Sequence, residues 1–167
     1  MLALAGSLAF TACSDDDDTS PIINSATSFK GTSTATVMSF SIPMEDDVVT
    51  VAPMPKDKSM AQLTFAERTM SVNMGMASMN VKMDAFTIDS CQVAGSADNY
   101  TLTRNNAFAV SGVKVSLSGM ESEQTVTGTL ASAALADGVL TVKLADVKAH
   151  SSMPMTMTLE IEGQQVK

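Results

Sequence analysis

From Met70 onward the chain alternates apolar and polar residues too strictly for anything but a β-strand. Met70, Val72, Met74 and Met76 stand at period two with Ser71, Asn73 and Gly75 between them. Met79, Val81, Met83 and Ala85 repeat the pattern against Asn80, Lys82 and Asp84, and near the end Met153, Met155, Met157, Leu159 and Ile161 oppose Thr156, Thr158 and Glu160. Successive side chains of a strand point to opposite faces, so such a segment buries one face and wets the other; on a helix the same residues would scatter around the axis. One-sided burial also indicates antiparallel sheet, because strands of a parallel sheet are apolar on both faces.

The same pattern fills the rest of the chain. Phe29 to Phe40 is rich in Thr and β-branched residues and reads as a long strand ended by Pro43; Val48–Val51 is a short strand closed by Pro53-Met54-Pro55. Ala61–Phe65, Tyr100–Leu102, Phe108–Leu117, Thr125–Ala134 and Val139–Val147 follow, with a turn at 95–99 and an Asp137-Gly138 hairpin signal. No helix is indicated. The expectation is one antiparallel all-β domain over residues 28–165, eight or nine strands closed or nearly closed as a barrel, with an open sandwich as the alternative. The expected core is Val37, Leu63, Phe65, Val72, Met74, Val81, Met83, Leu102, Val110, Val126, Leu140, Val142, Met155, Met157 and Leu159.

That core must be built almost without rings. Only 4% of residues are aromatic and none is Trp, whereas 14 are Met. Unbranched Met fills irregular gaps. Thioethers two residues apart on a strand also suit Cu(I), and Met76, Met79 and Met153 form the best candidate set. The methionines nevertheless share their face with Val72, Val81, Leu159 and Ile161, so packing is the favoured role and no cofactor is expected. A Met-lined interior would also suit an apolar small molecule.

Catalytic signals are weak. His150 is the only histidine, and its neighbours Ser151 and Ser152 lie in a loop-like stretch. Glu45-Asp46-Asp47 and Glu121 with Glu123 have no EF-hand spacing. Cys91 is the only cysteine after Cys13, which leaves no disulfide framework. An enzyme is not expected. The formal net charge is −8, half of it from Asp15–Asp18, which argues against a nucleic-acid partner.

The N-terminus carries the most specific signal. Residues 1–12 are uncharged and apolar or small, Ala12 precedes Cys13, and Asp15, Asp16, Asp17 and Asp18 follow at once. This resembles the signal peptide and lipobox of a bacterial lipoprotein. The resemblance implies cleavage before Cys13, lipidation of Cys13, and a translation start upstream of Met1 that supplies the missing basic n-region. Residues 13–27 read as an acidic, flexible tether. The acidic run resembles the surface-export signal of Bacteroidetes lipoproteins, with retention on the periplasmic face as the alternative.

Phe29-Lys30-Gly31-Thr32, the Thr127-Gly128-Thr129-Leu130 strand with its Asp137-Gly138 hairpin, and the closing Met153-Pro154-Met155-Thr156-Met157-Thr158 strand are together similar to calycin-like β-barrel lipoproteins of Bacteroidetes. That likeness implies a small barrel anchored in the outer membrane. Its expected role is a binding module for an apolar ligand or an accessory subunit of an outer-membrane protein.

Overall fold

A computed structural model describes residues 21–73, 78–152 and 156–166. All regular structure in them is β. The strands are β1 (Thr27–Val37), β2 (Phe40–Pro53), β3 (Met60–Phe65), β4 (Arg68–Asn73), β5 (Ser78–Met83), β6 (Phe86–Ser96), β7 (Asn99–Thr103), β8 (Phe108–Leu117), β9 (Met120–Ala136), β10 (Val139–Lys148) and β11 (Met157–Gln165). Hydrogen-bonded neighbours run β10-β11-β1-β2-β3-β6-β7-β9, and β9 pairs back onto β10, so eight strands close a ring in which every pairing is antiparallel. The barrel expectation holds and the open sandwich does not.

The three remaining strands lengthen the wall. β4 continues β3 past Ala66-Glu67, β5 leads into β6 across Asp84-Ala85, and β8 continues β7 after residues 104–107. β4 pairs with β5, β5 with β8, and β8 with the first half of β9. The eleven segments therefore trace eight long strands in simple up-and-down order, three of them broken at one height. We call that height the waist. One rim holds the start of β1, the end of β11 and the 97–98 and 137–138 turns; the opposite rim holds the 38–39 and 118–119 turns.

Turn chemistry explains several boundaries. Asp137 and Gly138 both have positive φ (52° and 78°), and so do Ser118 and Gly119 (50° and 89°), the geometry that matches the twist of a two-residue hairpin. Four further left-handed residues, Asp46, Ser90, Gly112 and Asp146, sit where the ladders slip register. They are β-bulges, which bend and coil the strands so that the sheet can close.

These devices account for the departures from the sequence expectation. β6 is not evident in the sequence pattern, because its bulge at Ser90 places Cys91 rather than Ser90 on the face of Phe86 and Ile88 and breaks the alternation. The first expected strand is divided by a turn at Met38-Ser39. Pro43 does not end a strand but lies within β2. There β2 is paired only with β1, because β3 joins it from Val49 onward, and the free side demands no donor.

The expected core is buried wherever it is described, except Val110, which is half-buried beside the Gly112 bulge. Met74 and Met155 lie outside the described residues. The packed domain also begins before residue 28: Ile23 is only 7% exposed. With Ile22 it lines a cleft shared with Phe29, Tyr100 and Leu135, at the rim where β1 begins and β11 ends.

Candidate functional site

The interior is filled at the waist, where the three broken strands bring rings together. Phe65 ends β3, Phe86 opens β6 and Phe108 opens β8. Phe65 and Phe86 stack with centroids 4.9 Å apart, and Phe86 and Phe108 with centroids 6.4 Å apart. Phe108 lies against Gly128, where an added Cβ would meet Cζ of the ring at 2.7 Å. In an aromatic-poor chain, half of the six phenylalanines thus form one stack that runs over three neighbouring strands of the wall.

A buried ion pair adjoins it. Arg68 Nη1 lies 3.1 Å from Asp47 Oδ2, with both side chains 3% exposed, and the guanidinium carbon sits 5.5 Å from the Phe65 ring centre. Asp47 Oδ1 accepts the Val48 N–H at 3.0 Å. The pair's polar atoms are otherwise poorly served: Asp47 Oδ2, all three guanidinium nitrogens of Arg68 and the hydroxyl of buried Ser33 have no hydrogen-bond partner among the described residues. Burial lowers the affinity of Arg68 for its proton, and the Asp47 charge opposes that effect. The pair fixes β4 to β2 just beyond the last β2–β3 ladder residues. Nothing in the sequence pattern singles out either residue, although Arg68 stands where alternation with Met70 and Val72 requires an apolar side chain.

His150 lies in the loop after β10, as its sequence neighbours suggest. Its partner is Ser122 on β9, with His150 Nε2 and Ser122 Oγ 3.1 Å apart; Ser152 donates its backbone N–H to Nδ1 at 3.0 Å. With Nδ1 accepting, the neutral ring carries its proton on Nε2 and donates to Ser122. Gln124 Nε2 also donates to Ser122 Oγ at 2.8 Å, and Gln124 Oε1 accepts the Ser151 N–H at 3.0 Å. The ring therefore cannot take a proton from Ser122 in this arrangement. These five residues tie the loop after β10 to β9.

Cys91 is fully buried and its thiol is pushed up to about 11, chiefly by burial, so it stays protonated and unreactive at neutral pH. Among the described residues no group of three His, Cys, Asp or Glu side chains is arranged to hold a metal. Of the candidate Cu(I) set, Met79 packs half-buried against the core, while Met76 and Met153 lie outside the described residues, as do Cys13, Asp15, Asp16, Asp17 and Asp18. Met70, Met83 and Met157 are core residues. Met54 instead supports a bulge, since its Sδ accepts the N–H of Ser90 at 3.3 Å.

Several clefts lie at the surface. One of about 260 Å³ surrounds Ile22 and Ile23 at the rim where β1 begins and β11 ends. Another, about 420 Å³, runs between the first half of β2 and β4. A third lies beside His150. No protein-family model, curated protein or solved structure was found to match the chain.

Proposed function

We propose that this protein is a lipid-anchored outer-membrane barrel that performs no catalysis and works through its outer surface, as an accessory or interaction subunit. The observation that carries this reading is the filled waist. Three phenylalanine rings and a buried Asp47–Arg68 pair occupy the level at which an internal ligand would have to pass from one half of the barrel to the other. A ligand site of the usual size needs a cleft of at least about 300 Å³ that buries most of its occupant. The Ser122–His150 arrangement, with its proton on the wrong nitrogen for a base, supports the non-catalytic half of the proposal. The up-and-down ring fits the likeness to calycin-like barrels, and the Cys13 and Asp15–Asp18 pattern supports anchoring at the cell surface.

Two measurements test it. Metabolic labelling with an alkyne palmitate, in cells that translate the gene from its own start, is expected to mark the wild type and not Cys13→Ala; an unlabelled wild type rejects the anchor. Titration with a fluorescent fatty acid is expected to give no saturable binding. Sub-micromolar, stoichiometric binding that is altered by Phe86→Ala would instead make the barrel a carrier of apolar ligands.

A further inference from the structure

The loop that follows β10 is held to β9 by two backbone hydrogen bonds of different chemistry. Ser151 donates its N–H to Gln124 Oε1 at 3.0 Å, and Ser152 donates its own to His150 Nδ1 at 3.0 Å. Both fastenings converge on Ser122: Gln124 Nε2 donates to Ser122 Oγ at 2.8 Å, and His150 Nε2 lies 3.1 Å from the same oxygen. A carboxamide accepts equally well at any ordinary pH. An imidazole does not, because it gains a proton and a charge between about pH 8 and pH 5. His150 is the only histidine in the chain. It is half-buried, so solvent protons reach its ring.

Protonation reverses one of the two ring contacts and spares the other. The neutral ring accepts at Nδ1 and donates at Nε2, whereas the charged ring donates at both. The Nε2–H still has Ser122 Oγ to point at. The Nδ1–H meets the Ser152 N–H, donor against donor at 3.0 Å. Turning the ring over brings no relief, since neither nitrogen of the charged ring can accept. The charges nearby have opposite signs: Glu123 on β9 and Lys148 on β10 line the same cleft as His150, while Glu121 on β9 lies 3.7 Å from Lys114 on β8. Gly112 is the β8 residue in that lining. His150 and Ser151 form part of the wall of this cleft of about 490 Å³, so the position of the loop sets its shape.

We propose that residues 149–152 are an acid-sensitive latch on the outside of the barrel. With His150 neutral, Ser152 is held to the ring and the loop closes one side of the cleft. When the ring takes a proton, Ser152 is let go, while Gln124 keeps its hold on Ser151 and the barrel stays folded. The cleft thus has one shape at neutral pH and a more open one in weak acid. Neither the lipid anchor nor the interaction role is needed for this behaviour.

The test uses the full-length chain carrying Cys13→Ser, labelled with nitrogen-15 and without a histidine tag, so that one imidazole reports. Nitrogen shifts of the ring at neutral pH are expected to show a protonated Nε2 and a bare Nδ1. Amide protection, corrected for the intrinsic pH dependence of exchange, is then followed from about pH 8 to about pH 5. Protection of Ser152 is expected to fall about tenfold, the loss of one hydrogen bond, in step with ring protonation. The ladder amides of β9 and β10 are expected to keep theirs. His150→Asn offers Oδ1 to the same N–H without titrating, and should hold Ser152 across the whole range. His150→Lys cannot accept at all, and should leave Ser152 unprotected throughout with the far-ultraviolet spectrum unchanged. The latch is overturned if Nδ1 carries the proton at neutral pH, or if Ser152 protection ignores the charge on the ring. It is equally overturned if Ser152 and the ladder amides lose protection together, which is global unfolding, or if the Asn variant opens in acid as the wild type does, which would make a carboxyl such as Glu123 the sensor. Palmitate labelling and fatty-acid titration are unaffected by any of these outcomes, so the two proposals fail separately.

Discussion

Removing Arg68 is expected to destabilise the barrel far more than removing Arg68 and Asp47 together. At 3.1 Å and an effective dielectric constant of about 20, two unit charges attract by about 5 kcal/mol. Burying each ion costs several kcal/mol. With both side chains 3% exposed, a single ion contact between them and none of the three guanidinium nitrogens hydrogen-bonded among the described residues, attraction and desolvation nearly cancel. Arg68→Met leaves Asp47 buried without its counter-charge and should cost about 3–5 kcal/mol. Asp47→Asn, which keeps the acceptor for the Val48 N–H, leaves a buried uncompensated Arg68 and should cost a similar amount. The double variant removes both charges and should fall within about 2 kcal/mol of the wild type. Urea unfolding followed by far-ultraviolet circular dichroism gives the four free energies of the cycle. Additive losses, with the double variant down by the sum of the singles, would refute the reasoning, because the two groups would then not be each other's compensation.

Other consequences follow from the same packing. Gly128→Ala drives a methyl group into the Phe108 ring and should cost about 1–3 kcal/mol, with Phe108→Leu in the same chain recovering part of the loss in urea unfolding. Met157, 3% exposed on β11, should tolerate Leu at under about 1.5 kcal/mol but lose about 2–5 kcal/mol on change to Ala; equal costs in thermal melts would show that it is not a core residue. Alkaline stability has a defined sign. Burial raises Cys91 from 9.0 to about 11 and Tyr100 from 10.0 to about 12, so the folded state holds both protons more tightly than the unfolded chain. Their contribution is complete below pH 9 and is lost as pH rises through 9–12, and Cys91→Ala should shift the onset of alkaline unfolding upward. An onset unchanged by that substitution would remove the thiol from the account.

Much of the wall is legible because alternation is a local property. Val72, Val81, Met83 and Leu159 declare their faces to any reader who counts by two, and Asp137-Gly138 declares its turn. What stays hidden is whatever breaks the count. Ser90 hides β6 because a bulge shifts the inward face by one residue. Pro43 reads as a stop, since the sequence does not reveal that its strand has a neighbour on one side only there. The waist is least legible. Phe65, Phe86 and Phe108 are far apart in sequence, and only the pairing of β3 with β6, and of β6 with β7, which leads into β8, brings them into one stack. Asp47 and Arg68 look like surface charges until β4 is placed against β2.

The ring is closed by its first and last strands, for β1 pairs with β11 along nearly its whole length, from Phe29 opposite Gln165 to Val37 opposite Met157. A ribosome or a secretion channel delivers those partners at opposite ends of the process. Until the last residues emerge, β1 and β10 are both exposed edges, and the growing chain is an open curl with two sticky margins. Closure is therefore a terminal event that waits on complete delivery, and it joins residues separated by almost the entire domain, which places folding among the slow, non-local topologies. A chain that loses β11 forfeits more than one strand, since the wall then has no way to meet itself.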